Sequence, residues 1–351
     1  MFKIDVLPAE YGDSLWIEYG SPKNPHRILV DCGTKSVYKN ALKPRIQALK
    51  PADRHFELFI VSHVDIDHIG GAIDFVADSR SLGITFDDIW FNGYKQLKAA
   101  SSMLGAPSGE DLTALLEDLN LPWNKAFKDK PVAVGPSGAL PKFKLPGPIK
   151  ITLLSPSLQQ LVDLLPEWEV ACKNADIKPG KGRRPARPRS GEPTLLGDPP
   201  VEVLADAKFT SDRAAPNGSS IAVLAEFDGK RVLLTADAHV PTLLSSLTRL
   251  WKGKPQEVDA FKVSHHGSGN NTSVDLVKSV KCKNWIVSTN GKVFGHPDQE
   301  AIARIVKYGT PGQKLYFNYE TKFNDMWKSA RLSTKFDFTA LYENDGRTII
   351  L

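Results

Sequence analysis

The chain has 351 residues, 41 % of them apolar and 24 % charged, with a formal net charge of +5. That length allows one large domain or two ordinary ones with a sizeable core, and the balance is that of a globular protein. No apolar run approaches the roughly 20 residues of a membrane span, and Asp5 interrupts the N-terminal stretch MFKIDVLPAEYGDSL, which reads as a first strand and not as a secretory signal.

Three scattered cysteines, Cys32, Cys172 and Cys282, form no CxxC pair. That argues against a disulfide framework and a cysteine zinc site, and sets a cytoplasmic location as the expectation. Lys178, Lys181, Arg183, Arg184, Arg187 and Arg189 fall in one short stretch, and setting those six aside leaves a charge of −1. The basic character is local, which weakens a whole-protein case for nucleic-acid binding.

Strand-like runs, short and rich in Val and Ile, follow one another along the chain. They are 2–7, 14–19, 27–31, 57–62, 88–91, 150–155, 220–227, 231–236, 259–264, 284–289, 314–319, 336–342 and 347–351. Helical spacing appears at 110–119, 157–172 and 297–307, the last opening with PDQE, a proline near a helix start with acids in the first turn. EFDGKR (226–231) and ENDGR near the C-terminus read as hairpin turns, because Asp-Gly suits a two-residue primed turn. The segment 174–200 is rich in Pro, Gly and Arg and is expected to be a loop insertion, either a solvated linker or an arm touching phosphates. Two successive sets of strands and helices predict an α/β fold, an αββα sandwich of two packed mixed sheets with helices on the outer faces. The expected organisation is one large domain over 1–313 and a C-terminal β extension over 314–351.

Residues 61–71 read VSHVDIDHIGG, between a strand-like run and a helical one. On a strand-like segment His63 and Asp65 point to one side, and Asp67 and His68 reach a second position one short turn later. Gly70 and Gly71 remove side-chain bulk beside them. Imidazole with carboxylate suits Zn, Mn or Fe. A helix N-terminus decorated with acids accounts for one Asp, not for two His and two Asp at this spacing.

HVDIDHIGG resembles the HxHxDH signature of the metallo-β-lactamase superfamily, in an HxDxDH form. Further motifs follow in that family's order: Asp31 in RILVDCG, Asp237 in RVLLTADAH, and His265 and His266 in FKVSHHGS. The resemblance implies the αββα fold and two divalent ions, zinc or manganese. It implies His63 and Asp65 on the first ion, Asp67, His68 and His266 on the second, and Asp237 bridging. Asp31 is then an orienting residue behind a ligand, and His265 a proton donor or an outer residue. The family's third motif supplies a histidine before the strand of the bridging Asp; here APNGSSIAVL has Asn217 and Ser219 instead. The first ion is expected to have one ligand fewer, or to use Asn217 or water.

HxDxDHxGG, PNGSSIAVL, KVSHHGS and STNGKVFGHPD together resemble the hydrolase domain of the competence-type DNA-uptake channel (ComEC-like) and its stand-alone relatives, some of them in bacterial defence clusters. The late motif supplies Asn290 and His296, the latter expected at the mouth of the site. This resemblance implies a two-metal phosphodiesterase or nuclease with a phosphodiester substrate such as DNA. In it, hydroxide generated at the metals attacks phosphorus, Asp67 serves the metals, and His265 or His296 protonates the leaving oxygen. Two alternatives stand beside it. One is a hydrolase of small esters, cyclic nucleotides or lactones, with Asn92, Tyr94, Trp123 and Phe127 as pocket candidates. The other is a weakly active metal-binding sensor module in a larger assembly.

Overall fold

The computed structural model describes residues 1–100, 107–174, 200–344 and 346–351. The basic insertion expected at 174–200 lies outside the described residues but for its two ends, and the ENDGR turn contains residue 345, which also lies outside them. In chain order the first strands are β1 (Phe2–Val6), β2 (Leu15–Ser21), β3 (Asn24–Val30), β4 (His55–Phe56), β5 (Leu58–Ile60), β6 (Thr85–Phe86) and β7 (Ile89–Trp90). Next come β8 (Lys142–Lys144), β9 (Lys150–Ser155), β10 (Ala222–Phe227), β11 (Lys230–Leu234), β12 (Gln256–Val258) and β13 (Ala260–Lys262). The last are β14 (Val280–Cys282), β15 (Asn284–Val287), β16 (Gln313–Phe317), β17 (Phe338–Tyr342) and β18 (Arg347–Ile350).

Two mixed sheets carry the fold. One runs β18-β1-β2-β3-β5-β7, antiparallel up to β3 and parallel beyond it. The other runs β17-β16-β15-β13-β11-β10-β9-β8, parallel from β17 to β11 and antiparallel after that. Strand alternation divides the first sheet's side chains between two cores. Ile17, Ile28 and Ile60 face inward to meet Leu153, Val223 and Val232 of the second sheet. Their chain neighbours Trp16, Leu29 and Phe59 face the other way, onto Ile69, Phe75 and Val76 of the helix Ile66–Ala77 and onto Leu161, Leu165 and Trp168 of the helix Leu158–Asn174. The far face of the second sheet is covered by Leu243 and Leu247 of the helix Val240–Trp251 and by Ile302 and Ile305 of the helix Gln299–Tyr308. The architecture is therefore α/β, an αββα sandwich with the sheets face to face. The segment after residue 313 adds an edge to each sheet: β17 beside β16, and β18 beside β1.

The Asp-Gly turn behaves as its sequence requires. Asp228 (φ 50°) and Gly229 (φ 75°) are both left-handed, the pair a primed two-residue turn needs between β10 and β11. The expected helices form with shifted ends, Pro107–Asp118, Leu158–Asn174 and Gln299–Tyr308. Pro297 does not open the last of these. Its peptide with His296 is cis, and Asp298 takes the N-cap position ahead of Gln299. The pairs β4–β6 and β12–β14 were not expected; with two or three residues per strand they are too short to show a period. Among the described residues no helix is long and apolar enough to cross a membrane.

Candidate metal centre

Strands β3 and β5 of one sheet and β11, β13 and β15 of the other end at a common rim. Asp31 follows β3, His63 follows β5, Asp237 follows β11, His265 and His266 follow β13, and Ser288 follows β15. Ligand sites gather at the carboxyl ends of parallel strands because the loops there are free of the sheet ladder. A hydrogen bond from Ile221 N to Ser62 O (2.9 Å) ties the two rims together.

The 63–68 cluster is not built on a strand. β5 ends at Ile60, residues 61–64 form a loop, and Asp65 holds the N-cap position of the helix Ile66–Ala77, making no side-chain capping bond. Asp67 and His68 sit in the first turn. Gly71 serves the neighbouring loop and not the metal ligands: a Cβ there would lie 2.4 Å from Cys32 O, and its N–H donates to Gly33 O (2.8 Å).

Four imidazoles are held by their Nδ1 atoms and face inward with Nε2. His68 Nδ1 donates to Asp31 Oδ2 (2.8 Å), and His266 Nδ1 to the Ser288 carbonyl (2.9 Å). His63 Nδ1 donates to Ser62 Oγ (3.0 Å), whose hydroxyl passes on to Asp31 Oδ2 (2.7 Å). His265 Nδ1 lies 3.0 Å from Asn271 Oδ1. The Nε2 atoms of His63, His68, His265 and His266 stand 3.7, 3.5, 3.7 and 3.7 Å from one oxygen, Asp237 Oδ2. The structure thus brings together His63, Asp65, Asp67, His68, Asp237, His265 and His266. Asp31 lies behind the His68 ring, fully buried, and also accepts from Ser62 N (2.7 Å).

The residues fit divalent ions. Ligand atoms 2.0–2.1 Å from a tetrahedral zinc lie roughly 3.3 Å apart. Here His68 Nε2 and His266 Nε2 are 3.2 Å apart, His266 Nε2 and Asp67 Oδ2 3.4 Å, and His63 Nε2 and Asp65 Oδ2 3.4 Å. His63 Nε2 and Asp237 Oδ1 are buried with no hydrogen-bond partner, a costly condition that a cation removes.

Electrostatics point the same way. Burial raises the Asp237 carboxyl, but His68, His266 and His265 outweigh it and hold it well below the carboxylate range. Burial disfavours a charged His68, yet Asp237, Asp31 and Asp67 push it far up. His266 is pushed up to about 9, burial and Lys262 opposing, Asp237 and Asp13 prevailing. Without metal, protons on these rings balance the carboxylates; an ion must displace them.

Asp13, in the loop after β1, is a site residue the sequence reading missed. Asp13, His68, Asp237 and His266 are all buried and offer ligand atoms within 4.8 Å of one another. The Lys262 ammonium, itself fully buried, pairs with Asp13 Oδ2, and Asp13 Oδ1 stands 3.5 Å from His266 Nδ1. Asp13 therefore backs the His266 ring on the side away from Nε2. The signal was the short YGDSL loop: an added Cβ at Gly12 would fall 1.8 Å from Asp67 O, so only glycine lets this loop lie against the helix start, where Asp13 N donates to Asp67 O (3.2 Å).

Other expected residues stand further out. Asn217 does not face the ligands as a donor oxygen; its amide nitrogen donates to Asp212 Oδ2 (2.7 Å). Ser219 spends its hydroxyl on Pro216 O (2.6 Å), and Asn290 Oδ1 accepts from Lys292 N (3.0 Å). His296 packs edge-on against His265, centroids 5.2 Å apart, with Nδ1 3.0 Å from Asp298 Oδ1. The suggested pocket residues belong to the core: Asn92 closes both amide groups on the Val132 backbone, Trp123 donates to Phe91 O (2.9 Å), and Phe127 packs on Trp90 and Phe143. Tyr94 packs against the helix-side core. The aromatics beside His296 are instead Phe294, half exposed, and Tyr11, 5.9 Å from it edge-on.

No protein-family profile and no curated protein matches this chain. Among solved structures it is similar to the metallo-beta-lactamase fold protein YhfI from Bacillus subtilis, at 13 % identity and a TM-score of 0.44 over 99 % of this chain and 98 % of that one. It is also similar to Zn²⁺-bound PqqB from Methylobacterium extorquens, at 11 % identity and a TM-score of 0.43 over all of both chains. A third is a long-form RNase Z from yeast, at 10 % identity and a TM-score of 0.40, covering all of this chain and 45 % of that one.

Proposed function

We propose that the chain is a metal-dependent hydrolase of the metallo-β-lactamase superfamily that binds two divalent ions and cleaves phosphodiesters, with nucleic acid as the favoured substrate class. The observation that supports it most is the convergence of four Nε2 atoms on one buried carboxylate, with His63 Nε2 and Asp237 Oδ1 unpartnered. The choice of phosphodiester rests on the motif resemblance and on the acid-rich donor set, which suits harder ions such as Mn²⁺ beside Zn²⁺.

Asp67, His68 and His266 would hold one ion, His63 and Asp65 the other, and Asp237 would stand between them. When bound, the ions supply Lewis-acid charge to a phosphoryl oxygen and bring the pKa of water toward neutrality. Asp31 and the Ser288 carbonyl accept from Nδ1 of His68 and His266 and would keep both rings in the Nδ1–H tautomer, so their Nε2 lone pairs face inward. His296, steadied by Asp298, would hand a proton to the departing oxygen.

The test is a screen of Mn²⁺- and Zn²⁺-loaded protein against single-stranded DNA, double-stranded DNA, RNA and a generic aryl phosphodiester. Cleavage of at least one that disappears in Asp67→Ala and Asp237→Ala is the expected result. Full activity in both variants, or none in the wild type on any substrate, refutes the reading.

A further inference from the structure

The Asn217 amide nitrogen is taken by Asp212 and the Ser219 hydroxyl by Pro216 O, and the first ion, with His63 and Asp65, wants a further ligand. We infer that His265 takes that place: its Nε2 is the missing ligand of the first ion, and Asp212, Asn217 and Asn271 form the frame that holds it there. The inference rests on the two-ion reading above and goes beyond it.

Three observations carry it. The first is the tautomer. Asn271 Nδ2 lies between two acceptors, Asp212 Oδ2 at 3.0 Å and the Asp237 carbonyl at 3.2 Å, so the amide cannot be flipped and its oxygen must face His265. His265 Nδ1, 3.0 Å from that oxygen, is then the protonated nitrogen, with Asp212 Oδ2 3.6 Å away on the same side. The nearby Asn217 amide is 3.3 Å from this nitrogen but 2.7 Å from Asp212, and the shorter contact is its hydrogen bond. Nε2 is left with its lone pair directed at Asp237, in the carboxylate–histidine arrangement typical of metal-bound imidazoles.

The second is the backbone. His265 (φ 47°, ψ 54°) and His266 (φ 55°, ψ 20°) are consecutive left-handed residues without a glycine between them. Each such conformation is strained for a residue with a Cβ and persists only where the surroundings enforce it. In an extended segment these neighbours would point to opposite sides; here both place Nε2 at 3.7 Å from Asp237 Oδ2. The third is distance: His265 Nε2 stands as near Asp237 Oδ2 as the Nε2 atoms of His63 and His266 do, each at 3.7 Å, which is the reach of a ligand and not of an outer residue.

The test counts ions. The full chain, freed of metal, is loaded with Mn²⁺ or Zn²⁺, desalted and analysed for metal content, and the Mn²⁺ form is examined by electron paramagnetic resonance for a spin-coupled pair. The wild type is expected to hold two ions and give the coupled signal. His265→Ala and the bulkier His265→Gln are expected to hold one and give an uncoupled signal. The loss of affinity for the first ion should exceed the roughly 10–100-fold that follows removal of an outer partner, which is the effect expected for Asp212→Asn. Thermal unfolding checks that the variants are folded, and the Nε2 ¹⁵N resonance of His265 in the unmutated protein, shifting on Zn²⁺ addition, reads the ligand without any substitution. Two ions at wild-type affinity in both His265 variants, or an unmoved Nε2 resonance, overturns the inference and leaves the two-ion reading standing. A wild type that holds fewer than two ions overturns both.

Discussion

Asp31→Asn isolates what a buried carboxylate behind a ligand contributes. Asparagine keeps the shape and tolerates the left-handed backbone found at this position (φ 58°). Asp31 is fully buried and accepts three hydrogen bonds, from Ser62 N and Ser62 Oγ at 2.7 Å each and from His68 Nδ1 at 2.8 Å. Asparagine has one oxygen to offer. If it stays on Ser62 N, its NH₂ group confronts His68 Nδ1–H. Relief comes when His68 moves its proton to Nε2, the nitrogen that faces the ions. The ion held by His68 should then bind about 10–100-fold more weakly, which is ~1.4–2.7 kcal/mol. In the metal-free protein the loss of a charge-assisted hydrogen bond costs a further ~1.5–3 kcal/mol of stability. Competition with a chelator measures the first quantity and urea unfolding of metal-free protein the second. Metal affinity within twofold of wild type, with an unchanged urea midpoint, would refute the reasoning that Asp31 acts by fixing the His68 tautomer.

Other expectations are as direct. Metal-free protein should lose stability as pH rises. His266 is raised to about 9 in the fold, so its contribution is complete below the unfolded value near 6.5 and disappears through pH 9, by about 3 kcal/mol. Saturating Zn²⁺ should flatten that slope, and thermal melts across pH 6–10 with and without metal check both. Lys262→Met leaves Asp13 buried and unpaired and should cost ~3–5 kcal/mol in urea, much of it recovered by adding Asp13→Leu. Gly12→Ala drives a methyl into the Asp67 backbone and should lower metal affinity and the melting temperature together. Trp123→Ala should cost ~3–5 kcal/mol as a core truncation and leave turnover per folded molecule unchanged; a selective rise in KM would restore Trp123 to the substrate pocket.

Most of this centre could be read from the chain because ligands cluster where strands end, and strand ends are visible. VSHVDIDHIGG follows a short apolar run, and Asp237 and His266 each follow another. What the sequence hid was orientation. Nothing in APNGSS says that Asn217 turns toward Asp212, since a short polar side chain in a tight turn has many partners to choose from. Asp212 and Asn271 are ordinary residues in SDRAAP and GNNTS, and acquire meaning only when the fold sets both of them against Nδ1 of His265. Asp13 stayed unseen because its partner, Lys262, lies far along the chain inside an apolar strand. A lysine there reads as a solvated flank until its complete burial is known. The aromatics of the 92–127 region are open in the sequence between a stacking platform and ordinary packing, which composition cannot tell apart; the fold buries Trp123 and packs the half-buried Phe127 against the core.

The candidate ligands come from both rims of the sandwich: Asp65, Asp67 and the first two imidazoles from the smaller sheet, Asp237 and the last two from the larger. Any ion bound between them is a removable rivet across the seam, joining segments some 200 residues apart in sequence. Its withdrawal would let the two halves breathe at the mouth while each sheet keeps its own ladder, since loop closure over so long a span is released only there. Amide exchange should therefore quicken on chelation at Ser62, Ile221 and the residues after β13, and hold steady within β2, β10 and β16, so that metal supply would govern how firmly the rim is closed.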